Sequence, residues 1–198
     1  MKKSTPSFIL TLKLNPEIYQ EDILEKRLNS GRQLFNIILG KALNIQKKLK
    51  SSYEYNLLIS EYNLEKKIIK AKNLITSDKL KILQSQFHDL NSLYGLTEYN
   101  LHSLVKIFRT QFHNDIDSLS AQKIATRVFN AVMKYHYGKG GRPRFKGYGQ
   151  FKSLEGKSNT SGIRFINNKL IWGKNLEIPV VLKEGDAVQD YSLTKKIK

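Results

Sequence analysis

The segment Phe8-Ile9-Leu10-Thr11-Leu12-Lys13-Leu14 alternates apolar and polar positions after Leu10, and Asn15-Pro16 closes it. A two-residue period predicts a short strand. The period then lengthens. From Pro16 to about Tyr137 there is no internal proline, and apolar residues recur at three- and four-residue steps. That is the spacing of amphipathic helices. A first helix is expected over about Glu21–Lys50, with Leu24, Leu28, Phe35, Ile38, Leu39, Ala42, Ile45 and Leu49 as its stripe. Gly31 and Gly40 interrupt it mildly, each costing ~1 kcal/mol relative to Ala. A second helical segment, Tyr53–Leu74, offers Leu57, Leu58, Tyr62, Ile68 and Ile69. Thr76-Ser77-Asp78 supplies N-cap side chains for a third, striped by Leu80, Leu83, Phe87 and Leu90. Gly95 ends it, and Thr97 caps a fourth carrying Leu101, Leu104, Val105, Phe108 and Phe112. Asp115–Ser120 reads as a turn rich in capping residues. A fifth helix follows from about Leu119, with Ile124, Val128, Val132 and Tyr135 inward and Lys123, Arg127 and Lys134 on the other side.

After Gly138 the period returns to two. Ile163–Ile166 and Lys169–Trp172 read as a hairpin whose turn is Asn167-Asn168, residues that tolerate the positive φ a tight turn requires. Leu176–Leu182 reads as another strand, which Pro179 assigns to an edge or a bulge. A lone N-terminal strand needs a partner, and the other strands all lie after residue 138. The predicted class is therefore α+β: a small β-barrel or sheet interrupted by a large α-helical insertion.

Between the two periodic regions lies a different kind of sequence. Gly138–Lys152 interleaves Lys139, Arg142, Arg144, Lys146 and Lys152 with Phe145, Tyr148 and Phe151 on a glycine-loosened backbone. Cations neutralise phosphate and aromatic faces stack on bases, whereas a passive linker has little use for aromatics. The chain as a whole has 34 Lys+Arg against 17 Asp+Glu, a net charge of +17, which favours polyanionic partners. Richness in Asn, Ile and Lys suggests an AT-biased genome, so part of the lysine excess is compositional. The segment Lys134–Lys174 is less easily dismissed, because it holds ten Lys/Arg and one acid, Glu155. The residues assigned to nucleic-acid contact are Lys123, Arg127, Lys134, Lys139, Arg142, Arg144, Phe145, Lys146, Tyr148, Lys152 and Arg164. Tyr135, Tyr137 and Trp172 are further stacking candidates, Tyr135 and Trp172 being equally suited to the core.

Other chemistry is poorly represented. With no cysteine, disulfides, thiolate zinc sites and a cysteine nucleophile are excluded. His88, His102, His113 and His136 are scattered and form no metal-ligand spacing. Asp115 and Asp117 form a D-x-D pair whose position between helices favours capping over metal-dependent catalysis. No phosphate-binding G-x-x-x-x-G-K loop or serine triad context is found. No catalytic residue, metal or cofactor is assigned. No run approaches the ~18 apolar residues of a membrane span, and the reading expects a soluble cytoplasmic protein without membrane partners.

Three stretches together carry a family resemblance. Leu28-Asn29-Ser30-Gly31-Arg32-Gln33-Leu34-Phe35-Asn36-Ile37-Ile38-Leu39 resembles the first recognition-lobe helix of the transposon-encoded TnpB (OrfB) family. Ala125–Asn130 followed by Gly140-Gly141-Arg142-Pro143-Arg144-Phe145-Lys146 resembles that family's passage from the last recognition helix into a basic loop. Phe151–Gly156 with Gly162-Ile163-Arg164 resembles the strands that follow. Members are compact RNA-guided DNA endonucleases related to type V CRISPR effectors. The resemblance implies a wedge domain of oligonucleotide-binding barrel type, its first strand in residues 1–16 and the rest in 139–198. It makes 17–138 a helical recognition lobe. It implies guide-like RNA and double-stranded DNA as partners. The family's RuvC-like nuclease domain, with its three metal-binding acids and cysteine cluster, has no counterpart in these residues. The expectation is therefore an N-terminal part or truncated copy without cleavage activity. Two alternatives stand beside it: a helical protein–protein interaction module, and a recognition subunit whose nuclease domain is separately encoded.

Overall fold

The computed structural model describes residues 11–182. The elements are β1 (Lys13–Leu14), α1 (Ile18–Lys50), α2 (Tyr53–Ala71), α3 (Asp78–Leu93), α4 (Glu98–Phe108) with a 3-10 turn (Arg109–Phe112), α5 (Ser118–His136), β2 (Ile163–Ile166), β3 (Lys169–Trp172) and β4 (Glu177–Val181). This is an α+β chain: a run of helices followed by a small antiparallel sheet. Contacts divide it into two compact units. One comprises the described residues of Met1–Lys26 and Gly156–Lys198, and the other is Arg27–Glu155. None of the described helices is long and apolar enough to cross a membrane.

The starts of α2, α3, α4 and α5 each have a local chemical cause. The Ser52, Ser77 and Thr97 hydroxyls accept from Tyr55 N, Leu80 N and Asn100 N at 3.2, 3.1 and 3.2 Å. Asp117 accepts from both Leu119 N and Ser120 N, at 3.0 and 2.9 Å. These bonds satisfy N–H groups that have no partner within the helix. The expected capping role of Asp117 is thus realised, while Asp115 accepts instead from the Ser30 hydroxyl of α1 at 2.8 Å. The Ser77 hydroxyl also donates to Glu65 at 2.7 Å, which ties α3 to α2.

In the helical unit α4 packs on α5 and α2 on α3. Leu34, Ile38, Leu39 and Ala42 of α1, Leu101 of α4 and Val128 and Val132 of α5 are fully buried. The predicted α1 stripe holds from Phe35 onward, and Leu34 and Leu43 join it. The α2 stripe does not: Leu57 and Ile68 are exposed, and the helix buries Tyr55, Glu65 and Ile69.

The sheet runs in the order β1-β4-β3-β2, all neighbours antiparallel. The hairpin turn falls on Asn167 and Asn168, with φ of 50° and 59°. Both are left-handed, as a two-residue turn between twisted strands demands. Trp172, Leu176 and Ile178 form the buried centre of this unit. The N-terminal strand finds its partner in the last one, Lys13 opposite Val181 and Leu14 opposite Val180.

Two expectations are corrected here. Among the described residues the sheet is open, because β1 and β2 lie at opposite edges and do not pair, so no closed barrel forms. Pro179 lies in β4, which is an inner strand. The Pro179 carbonyl accepts from Asn15 N at 2.9 Å, so its missing N–H faces the same side, just beyond the last paired residue of β1. The proline forgoes only the reciprocal bond to the Asn15 carbonyl, at the place where β1 ends.

Candidate nucleic-acid interface

The basic segment is a strap laid on the helices. α5 ends on Gly138, whose φ of 68° suits the left-handed turn after a helix. Gly138 N and Lys139 N then return to the carbonyls of Tyr135 and Lys134, at 3.1 and 2.8 Å. From Gly141 the chain has no regular structure, yet it is held at fixed points. Asn36 of α1 clamps Lys146 from both sides of the peptide: its Oδ1 accepts from Lys146 N at 2.8 Å and its Nδ2 donates to the Lys146 carbonyl at 2.9 Å. Arg32 adds a donor to the same carbonyl at 3.2 Å. A side-chain amide here completes backbone pairing as a neighbouring strand would.

Two aromatic anchors flank this clamp. Phe151 is buried, its ring 5.7 Å from that of Phe35 and under the Arg127 guanidinium at 5.4 Å. Phe151, one of the three aromatics interleaved with the cations of this segment, is thus core. Phe145 lies over Gly40 but keeps 56% of its surface exposed. Tyr148 is 71% exposed. The strap thus turns Phe151 inward and presents Phe145 and Tyr148 outward.

The cations fall into two groups. Lys123 and Arg127 lie 3.6 and 3.1 Å from the Glu155 carboxylate, and Arg127 also donates to the Ser153 carbonyl at 3.1 Å. The Arg127 hydrogen bond holds the Glu155 carboxyl below its ordinary value. These two cations therefore fasten the end of the strap. In contrast, Lys134, Lys139, Arg142, Arg144, Lys146 and Lys152 have no ion-pair partner among the described residues. All but Lys146 are exposed. Arg164 belongs to the β unit, on β2, where its Nε is buried without a hydrogen-bond partner among the described residues. Trp172 is buried in that unit.

Between the strap and α1 runs an open groove of about 630 Å³ lined by Gly40, Gln46, Lys47, Lys50, Tyr135, Arg142 and Phe145. Lys50 lies over the Tyr135 ring at 5.3 Å. Lys47 and Lys50 were missed by the sequence reading. They occupy the last turn of α1, where basic residues normally complement the helix dipole, so their type carried no distinct signal. Elsewhere, Thr126 donates to Glu98 at 2.6 Å and lies 2.9 Å from His102. This trio links α4 to α5. No group of three or more metal-ligating side chains occurs among the described residues. No family model, curated protein or solved structure matches this chain.

Proposed function

We propose that this chain binds nucleic acid, as the recognition part of a TnpB-like protein. It grips a structured, guide-like RNA and the adjacent double-stranded DNA. It performs no cleavage step of its own; any cutting belongs to a nuclease domain outside the described residues, separately encoded or otherwise. The observation that carries this reading is the strap. Its backbone and one aromatic are fixed, while cations of one sign and two exposed aromatics project from it. Fixing the backbone lowers the ordering cost of binding. A merely solvated surface would mix signs. The pairing of the first described strand with the last, around the helical block, supports the finer view of the sheet as part of an oligonucleotide-binding wedge.

The test is fluorescence anisotropy with labelled single-stranded RNA and duplex DNA across a salt series. Six phosphate contacts predict a log–log slope of roughly −4 on a single strand and −5 on a duplex. Arg142→Ala with Arg144→Ala lowers affinity for every sequence and flattens the slope by about two contacts' worth. Unchanged binding would remove the strap as the contact surface. Sequencing the nucleic acid that co-purifies at low salt distinguishes one structured RNA from a random mixture.

A second reading has its own observation. Leu57, Leu64 and Ile68 of α2 are 49%, 56% and 37% exposed along one helix face, and Ile82 of α3 is 59% exposed. Such a face suits a partner helix. Salt-independent self-association without nucleic-acid affinity would favour this interaction module.

A further inference from the structure

The groove along the strap opens beside a second cavity, of about 760 Å³, with which it shares Lys50 and Tyr135. Besides Tyr135, four aromatic rings line the cavity: Tyr55 and Tyr62 of α2, Phe87 of α3 and Tyr137 at the end of α5. Phe87 meets Tyr55 and Tyr62 edge-on, at 5.6 Å each. Tyr137 is half exposed, and its hydroxyl is fixed by a 3.2 Å bond from Asn91 Nδ2.

His136 also lines this cavity. It is only 5% exposed, and neither ring nitrogen has a hydrogen-bond partner among the described residues. Its ring lies 5.6 Å from Tyr55 and 4.9 Å from Tyr137. A neutral imidazole carries one N–H donor and one bare acceptor, and leaving both unused in the interior costs stability. Lys50, Lys66 and Lys139 stand around the same space, which no carboxylate of the described residues lines. The adjoining groove repeats the feature, since Gln46 is 5% exposed and its Nε2 has no hydrogen-bond partner among the described residues.

We propose that this cavity seats an unstacked base of a single strand whose phosphates follow the strap. The aromatic walls offer π-faces, His136 offers a hydrogen-bonding edge to the base, and Lys50 and Lys139 take the flanking phosphates. The volume lies within the roughly 300–1,000 Å³ of small-molecule sites. The proposal rests on the nucleic-acid reading above and adds to it direct recognition of a base.

The experiment compares short fluorescein-labelled single-stranded oligonucleotides, RNA and DNA, with an abasic phosphodiester chain of equal length. One seated base predicts about tenfold or more tighter binding of the base-bearing strand. His136→Phe and Tyr62→Ala each abolish that preference and leave affinity for the abasic chain unchanged. Arg142→Ala with Arg144→Ala lowers both affinities alike. Equal binding of the two strands by the intact chain, or a preference that survives both cavity variants, overturns the base site while leaving phosphate binding standing. Absence of binding to either strand overturns the base site, and absence of duplex and structured-RNA binding as well overturns the nucleic-acid reading. Should His136→Phe fail to fold, as circular dichroism would reveal, Tyr62→Ala on the half-buried wall decides the question.

Discussion

Gly31 and Gly40 look alike in the sequence and do opposite things. A Cβ at Gly31 would come within 3.0 Å of the Phe151 ring and 3.2 Å of Leu154, so this glycine admits the strap's buried anchor. A Cβ at Gly40 would meet the Phe145 ring at an ordinary 3.8 Å. Gly40→Ala is therefore expected to raise stability by up to about 1 kcal/mol through helix propensity. Gly31→Val is expected to lower it by about 1–3 kcal/mol through overpacking. Urea denaturation of the two variants checks both signs. His136 gives a second residue-scale prediction. Burial, then the charge of Lys50, lowers its pKa from 6.5 to about 4. The unfolded chain therefore binds the proton first. Stability is full above pH 6.5 and falls as the pH drops through the window from 6.5 to about 4, by on the order of 3 kcal/mol at most. The charged groups lining the same cavity are Lys50, Lys66 and Lys139, beside the phenols of Tyr55, Tyr62, Tyr135 and Tyr137. His136→Phe should flatten this part of the stability–pH curve, and an unaltered curve would place the acid sensitivity elsewhere.

At the scale of elements, Asn36 of α1 makes two of the three bonds that hold Lys146 of the strap. Asn36→Leu removes both bonds to Lys146 without changing charge. At a net 0.5–1.5 kcal/mol per bond, it should cost roughly 1–3 kcal/mol and weaken oligonucleotide binding. Full-strength binding by a folded Asn36→Leu chain would mean that fixing the strap is irrelevant. The helices themselves were largely legible. Periodicity placed α1 over Glu21–Lys50 against the observed Ile18–Lys50, and caps placed α3 to α5 within a residue or two. The Asn-Asn turn of the hairpin was equally readable, because the required φ restricts the residue type. The strap's fixation was not. Phe151 and Phe145 have the same local signature, and only their positions against Phe35 and Gly40 separate buried anchor from exposed ring. The α2 stripe failed for a related reason. Periodicity finds an apolar face but not the direction it points: α2 instead buries Glu65, bonded by Ser77, and Tyr55, packed on Phe87. A solitary histidine such as His136 carries no spacing signal at all.

For the whole molecule, the two compact units differ in core size, and one probe separates them. Trp172, the chain's single tryptophan, is buried in the β unit, while helical ellipticity reports on Arg27–Glu155. Among the described residues the β unit has few large buried side chains, so Trp172 fluorescence is expected to change at lower urea than the far-ultraviolet signal. Coincident transitions would make the chain a single cooperative system. The pairing of Lys13 with Val181 also sets an order of events during synthesis. β1 leaves the ribosome long before β4 is translated, and at 5–20 residues per second the interval is roughly ten to thirty seconds. Throughout that time the nascent chain carries an unmatched β edge, while the helices, whose contacts are local, can already form. A chaperone that shields this strand until β4 arrives would raise the yield of native protein without altering its final stability.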